Sequence, residues 1–328
     1  MGGVYVLELA GEDDAFAAYE AQSHGSDVTV VAPGIGMASA IDRVETLAYT
    51  RRASKLLGQT SASIDAAESV LAAEQIDRQG TVAVRARDVR STAGVDTQRA
   101  ERQLGAILVD RGYAVDLDAP DHELRVLFSD DSCLLGWFDR SSVRDFGERK
   151  PTDRPFFQPG SMEPLLARAL VNIAGAAPGQ RILDPMCGTG GLLIEGALCG
   201  ATVVGLDVQH SMAAGTRKNV EWAADVNATT ITGSASDLPF EDDSFDGVVF
   251  DAPYGRQSKI VDDERSTDRD LERLVSQTLA EVRRIAPRVV LVADRQWNEQ
   301  ATDAGWSIER TFTRRVHASL DRHILVLE

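Results

Sequence analysis

At 328 residues with 43% hydrophobic content, the chain has material for two or three domain cores. It also lacks any run near the roughly 18 apolar residues of a membrane span and any basic region ahead of an apolar segment after Met1, so disorder is not the default reading and a cytoplasmic protein is expected. Cys133, Cys187 and Cys199 form no CxxC pair and the five histidines no HxxxH pair, so neither a disulfide framework nor a metal is expected. The balance of 51 acidic against 34 basic residues gives a net charge of −17, with lysine only at 55, 150, 218 and 259; this points to a halophile's cytosol, where molar salt screens charge over about 3 Å, with an ordinary acidic enzyme as the alternative.

Residues 1–55 read as strand (Val4 to Leu9), helix (Asp13 to Gln22), strand (Asp27 to Val31) and a further strand near Arg43 to Tyr49, a small α+β unit. Over 56–145 the pattern restarts. A helix from Ser63 to Asp77 precedes Thr81 to Arg87, whose period-two alternation puts Arg85 and Arg87 on one face. Thr97 to Arg111 has the apolar spacing of a helix, and Val115 to Leu117, Leu124 to Phe128 and Leu134 to Phe138 read as strands. Residues 146–160 turn to charge, proline and aromatics without periodicity and read as a linker.

Residues 161–328 read as one α/β domain. Its strands are Arg181 to Leu183, Thr202 to Leu206, Thr229 to Thr232, Gly247 to Phe250 and Val289 to Val292, with helical stretches between them. A closing pair near Ile308 to Val316 and Ile324 to Leu327 has no helix between its members. Strand and helix in alternation predict a mostly parallel, doubly wound sheet with right-handed crossovers, and the closing pair predicts an antiparallel finish.

In such a sheet the first strand-to-helix loop carries glycines so that backbone can approach a ligand. Asp184-Pro185-Met186-Cys187-Gly188-Thr189-Gly190-Gly191 follows the first strand and fits that place. Asp184 is suited to a ligand amino group or to bracing the loop, and Cys187 to filling a small space in it. Nucleotide, flavin and nicotinamide sites share such loops. The acids at the next strand ends sharpen the reading: Asp207 suits paired ribose hydroxyls and Asp237 an adenine amino group, although each serves equally well as a helix cap or a surface acid.

The fourth strand runs into Asp251-Ala252-Pro253-Tyr254, followed by Gly255. A carboxylate, a rigid turn without an N–H and an aromatic ring make a holder for a flat base bearing an exocyclic amine. That amine is a poor nucleophile because its lone pair is delocalised into the ring. A carboxylate and a turn carbonyl accepting its protons would orient the nitrogen, and orientation supplies much of the rate. Tyr254 can stack on the base, a contact of about 1–3 kcal/mol, and Gly255 permits close approach. The plain alternative for these residues is a strand-terminating turn.

These two motifs resemble those of class I S-adenosylmethionine-dependent methyltransferases of the amino-methylating kind, whose catalytic motif is Asp/Asn/Ser-Pro-Pro-aromatic; Ala252 stands where the first proline is usual. Arg154 to Met162 with Leu166-Ala167-Arg168 resembles the segment that precedes the glycine loop in this class, which implies that Phe157 and Pro159 flank the methionine end of the cofactor. The domain order is similar to the archaeal tRNA guanine-10 N2-methyltransferase family: a ferredoxin-like N-terminus, a THUMP RNA-binding unit and a Rossmann-like catalytic domain with a seven-stranded sheet. Arg315 to Arg322 resembles that family's C-terminal hairpin.

The resemblance implies that S-adenosyl-L-methionine donates one or two methyls to the 2-amino group of a tRNA guanine. Its implied cofactor residues are Phe157, Pro159, Asp184, Cys187, Gly188, Gly190, Asp207, Asp237 and Asp251; Asp251, Pro253 and Tyr254 are implied to be catalytic. Arg85, Arg87, Arg90 and Arg140 are the first candidates for RNA contact, with Arg51, Arg52, Arg99 and Arg144 behind them. The expected partner is tRNA, with no DNA and no membrane, and a small activating subunit is left open. The rivals are the same chemistry on another tRNA or ribosomal guanine, adenine-N6 methylation of DNA, and an RNA-binding protein with a vestigial cofactor fold.

Overall fold

The computed structural model describes residues 3–75, 79–226, 228–254, 268–317 and 320–328, with the side chains of Val316 and His317 excepted. The chain divides into two compact units, Met1–Val143 and Arg144–Glu328.

The first unit contains β1 (Tyr5–Leu9), α1 (Asp14–Gln22), β2 (Gly25–Ser26), β3 (Thr29–Ala32), β4 (Ile35–Ala38), β5 (Ala40–Ile41), β6 (Thr50–Ser61), α2 (Ile64–Ala73), β7 (Thr81–Asp88), α3 (Thr97–Asp110), β8 (Ala114–Val115), β9 (His122–Ser129) and β10 (Ser132–Ser141). Eight strands form one sheet in the order β3-β4-β1-β6-β10-β9-β7-β8, while β2 and β5 pair separately. Asp13, Ser63 and Asp96 accept from backbone N–H groups at the starts of α1, α2 and α3, satisfying donors that a helix leaves unpaired. Ala100, Leu104 and Leu108 of α3 pack with Leu71, Val84, Val126 and Trp137 into one core.

Four expectations for this unit are corrected. The strand near Arg43 to Tyr49 is instead a left-handed Arg43 (φ 48°) and a 3₁₀ turn over Val44–Thr46. The buried Glu20 carboxylate takes the amides of Ala48 and Tyr49 at 2.7 and 2.6 Å, so those two N–H groups are spent before they could join a ladder. Val115 to Leu117 shortens because Asp116 folds back on the amides of Asp118 and Ala119. The expected break between residues 55 and 56 falls inside β6, which pairs with β1 and β10. The helix expected to reach Asp77 stops at Ala73, and Asp77 lies outside the described residues.

The second unit contains α4 (Pro164–Ile173), β11 (Arg181–Asp184), α5 (Gly191–Leu198), β12 (Thr202–Asp207), α6 (His210–Ala224), β13 (Thr229–Thr232), β14 (Gly247–Asp251), α7 (Asp268–Ile285), β15 (Val289–Ala293), α8 (Asn298–Asp303), β16 (Ile308–His317) and β17 (Leu320–Leu327). The seven strands order as β13-β12-β11-β14-β15-β17-β16. All neighbours are parallel except those involving β17, whose hairpin with β16 closes the sheet. Strand order reverses between β11 and β14, which is where a doubly wound sheet opens a crevice for ligands. The strands are apolar on both faces: Leu183, Val204, Phe250 and Leu291 pack with Leu271, Val275, Leu279 and Val282 of α7, while α4 packs against α5.

Residues 146–160 are not a free linker. Phe146–Arg149 and Pro151–Asp153 form 3₁₀ turns within the second unit. The Arg149 and Arg168 guanidiniums both pair with the fully buried Glu195 of α5, at 2.7 and 2.8 Å. A charged, aperiodic stretch reads as solvated in one dimension, but here its Arg149 meets a carboxylate that cannot be left alone in the core.

Candidate active site

The glycine loop leaves β11 and is fixed from three sides. Asp184 accepts from the Met186 amide at 3.0 Å, the Cys187 amide donates to the Leu206 carbonyl at 2.9 Å, and the Asp207 carboxylate accepts from Gly188 N–H at 3.0 Å and Gln209 N–H at 2.9 Å. Gly188 and Gly190 have φ of 51° and 77°, left-handed values that favour glycine. A Cβ on Gly190 would lie 2.8 Å from Thr216 of α6, whereas one on Gly188 would meet no atom closer than 4.0 Å. Gly190 therefore seats the loop on α6, and Gly188 keeps backbone bare on the loop's open side.

Asn219, fully buried on α6, joins this loop to the segment before α4. It donates to the carbonyls of Phe156 (2.7 Å) and Thr189 (2.9 Å) and accepts from the Phe156 amide at 2.8 Å. Arg154 then donates to the Met162 carbonyl at 3.2 Å, and the Ser161 and Thr189 hydroxyls lie 2.8 Å apart. Neither Asn219 nor Thr216 was legible as part of the site. The one available signal was a polar pair on the otherwise small and apolar face of an amphipathic helix.

A cavity of about 980 Å³ lies between the loop and the end of β14. It is lined by Asp184, Cys187, Gly188, Asp207, Asp251, Pro253 and Tyr254, by Pro159 to Met162, and by Asp270, Arg273 and Gln277 of α7. The volume is at the upper end of ordinary small-molecule sites and suits two ligands side by side. Three expected residues fall outside its wall. Phe157 is exposed, with Gln158 and Pro159 forming the wall in its place. Gly190 faces Thr216. Asp237 is exposed beyond the lining formed by Ser234, Ala235 and Ser236, because its amide turns back to the Ser234 carbonyl at 3.1 Å. Gly255 lies outside the described residues.

Acidic groups converge here. Burial holds the Asp184 carboxyl well above the usual carboxylate range, and the charges of Asp207 and Asp251 add to that. Burial also raises Asp207, against the pull of the Gln209 and Gly188 amides. It pushes the Asp251 carboxyl up to about 6, with Arg322 and Tyr254 opposing and Asp294 reinforcing. Burial raises the Cys187 thiol too. Its sulfur lies where it would be 3.1 Å from a Cβ on Gly205, so Cys187 fills space against β12.

At the end of β14 the Tyr254 hydroxyl donates to Asp251 Oδ1 and accepts from Arg322 Nε at 3.1 Å, while Arg322 Nη2 lies 3.9 Å from Asp251 Oδ2. Arg322 comes from β17 and was not expected at the site.

The RNA candidates of the first unit carry intramolecular partners. Arg87 pairs with the buried Glu8, which Arg125 also holds at 2.9 Å. Arg90 pairs with Asp14 and donates to the Gly11 carbonyl at 2.9 Å. Arg85 donates to the Leu117 carbonyl, and Arg140 pairs with Asp139 at 2.8 Å.

A parallel sheet with an antiparallel hairpin, a glycine loop on its first strand and an Asp-x-Pro-Tyr turn on its fourth define a class I methyltransferase. Comparison with known proteins agrees: residues 151–324 match the RMKL-like methyltransferase domain and residues 64–137 the THUMP domain. The tRNA (guanine(10)-N2)-dimethyltransferase of Methanothermobacter thermautotrophicus is 34% identical over 93% of this chain and 92% of its own length. The enzyme of the same name from Pyrococcus abyssi is 30% identical over 76% of this chain and 74% of its own. The chain belongs to this THUMP-bearing methyltransferase family. The crystal structure of TrmN from Thermus thermophilus shares the fold, with a TM-score of 0.51 and 20% identity over 99% of each chain.

The cofactor of this class, S-adenosylmethionine, fits the residues present. Gly188 leaves an open cradle that a side chain would fill. Asp207 lines the cavity with lone pairs beyond those its two backbone donors use. Among the described residues no helix is long and apolar enough to cross a membrane.

Proposed function

We propose that this chain is a tRNA guanine-N2 methyltransferase that forms N2-methyl- and N2,N2-dimethylguanosine at position 10. The observation that carries this reading is the placement of Asp251 and Tyr254 in the same cavity as the glycine loop, on adjacent strand ends at the switch in strand order. When bound, S-adenosylmethionine supplies an electrophilic methyl on a cationic sulfur. The protein's part is to orient the acceptor amine. As a carboxylate, Asp251 accepts from the 2-amino group and Tyr254 offers a ring for the base, which requires the guanine to leave its stack. The amine's surplus proton is lost after transfer to Asp251 or to water.

Binding of the RNA is assigned to the THUMP-bearing unit. Arg85, Arg87, Arg90 and Arg140 are its proposed contacts. Arg87 and Arg140, though paired within the fold, keep 42% of their side chains exposed. The acid excess is read as adaptation to molar salt in the cytoplasm, where counterion release contributes little and shape and bidentate bonds carry more of the affinity. Mass-spectrometric mapping of methylguanosines in tRNA from a deletion strain is the test. Loss of both methylated forms at position 10 is expected. Loss at another guanine would move the site of action, and an unchanged tRNA would refute the reading.

A further inference from the structure

Two demands on Asp251 conflict. To orient an amine it must be a carboxylate with an accepting oxygen available, yet it sits among groups that favour its protonation. Burial does most of that work and Asp294, just beyond β15, adds to it, while Asp184 at the end of β11 is a buried neighbour that the Asp251 charge in turn raises. One of its oxygens is also engaged by the Tyr254 hydroxyl. If the Tyr254 ring turns to stack on the base, its hydroxyl leaves Asp251 Oδ1 and the carboxyl loses a donor that helps keep it ionised.

Arg322 is the one cation acting on Asp251 among the described residues; Arg314 faces it across the hairpin from β16, Arg273 of α7 lines the same cavity, and Arg295 pairs with Asp294 at 3.2 Å. Arg322 is 7% exposed, and β17 is held along its length by β15 and β16. Its two contacts go to two different groups: Nε donates to the Tyr254 hydroxyl at 3.1 Å and Nη2 lies 3.9 Å from Asp251 Oδ2. A guanidinium holds its charge throughout the accessible pH range and presents its donors in a rigid fork.

We propose that Arg322 is a positioning residue that keeps Asp251 ionised while the Tyr254 hydroxyl is exchanged for the amine of the target base. This rests on the methyltransferase reading above. Arg322 spans both groups, and the tyrosine hydroxyl rests on the carboxylate. When the ring turns to the base, Arg322 stays on β17 and remains the counter-charge of Asp251. The Nη2 to Oδ2 gap is long enough to close at that step.

The test compares full-length wild type with Arg322→Gln, Arg322→Lys and Tyr254→Phe. Turnover of tRNA is followed against pH, and in the ligand-free protein the Asp251 carboxyl is titrated by carbon-13 NMR, assigned with Asp251→Asn. An opposite charge within about 4–6 Å lowers a carboxyl pKa by about 1–3. In Arg322→Gln the acid limb of turnover and the NMR titration should therefore both move up by about one pH unit, with activity lost at pH 7 recovering by about pH 8.5. Arg322→Lys should stay near wild type in both. Turnover lowered equally at every pH, with the Asp251 titration unmoved, would make Arg322 merely structural and overturn the proposal.

Should Arg322→Gln fail to fold, Tyr254→Phe decides. Asp251 still titrating below pH 7 without the tyrosine hydroxyl supports Arg322 as its counter-charge, and a titration above pH 7 overturns it. The NMR measurements need no substrate. They decide the role of Arg322 even if the methylated nucleoside proves to be another one.

Discussion

Asp207 closes the glycine loop onto the neighbouring strand: its Oδ2 accepts from Gly188 N–H at 3.0 Å while its Oδ1 accepts from Gln209 N–H at 2.9 Å. One carboxylate therefore shapes the loop and faces the cavity. Asp207→Ala should weaken S-adenosylmethionine binding tenfold or more by calorimetry, and it should also lower the melting temperature. Each hydrogen bond to a charged group is worth about 1.5–3 kcal/mol, and about 1 kcal/mol moves a domain of this size by about 2–4 °C. Unchanged affinity in a folded variant would confine Asp207 to the loop.

Asp251→Ala should lower turnover 100-fold or more, about 2.7 kcal/mol of transition-state stabilisation, while cofactor affinity stays within threefold. In the wild type the accepting form is the carboxylate, and its pKa lies at about 6. Turnover should therefore rise with pH through about 6 and level off above it. A turnover that falls as pH rises through 6 would assign Asp251 the role of an acid instead.

The parts legible in the sequence share a cause. β11, β12, β14 and β15 are buried on both faces, so each reads as a short apolar run, and the chemistry begins at its last residue, as at Asp184, Asp207 and Asp251. β6 was missed because Arg51, Arg52, Lys55 and Gln59 spread polar residues over both of its faces, and its identity comes from pairing with β1 and β10. Arg322 was hidden for another reason. It reaches Asp251 only because β17 runs antiparallel beside β15, a relationship that no local pattern carries.

Gly190→Ala tests the seating of the loop. A non-glycine residue at φ 77° costs about 1–2 kcal/mol, and its Cβ would press on Thr216 at 2.8 Å. A fall of several degrees in melting temperature is expected, together with weaker cofactor binding. Pairing it with Thr216→Ser, which removes the crowding methyl, should recover part of the loss and leave the backbone cost. No recovery would place the strain in the backbone alone.

Glu195 is the hinge of a charge cluster: Arg149 and Arg168 both pair with it, and all three are buried. Removing Glu195 takes from both guanidiniums the buried carboxylate they share, with Asp145 at 2.8 Å left to Arg149, so Glu195→Ala should destabilise the catalytic unit by about 3 kcal/mol, read by denaturant unfolding. Glu195→Gln, which keeps hydrogen-bond acceptance, should cost less.

The same cluster decides where a catalytic fragment must begin. A chain starting at Asp153 would keep every residue of the cavity wall yet lose Arg149, leaving Glu195 with Arg168 alone. A chain starting at Arg144 retains Arg149 and the 3₁₀ turns that carry it. In molar potassium chloride, the Arg144–Glu328 fragment should fold and bind S-adenosylmethionine with near full-length affinity. The shorter one should bind it at least tenfold more weakly or fail to fold. The longer fragment should nonetheless methylate tRNA very poorly, because the THUMP match at residues 64–137 lies wholly in the unit it lacks. Calorimetry measures the first property and transfer of radiolabelled methyl the second. A folded Arg144–Glu328 fragment that methylates full-length tRNA as well as the intact chain would show that the N-terminal unit does not dock the substrate.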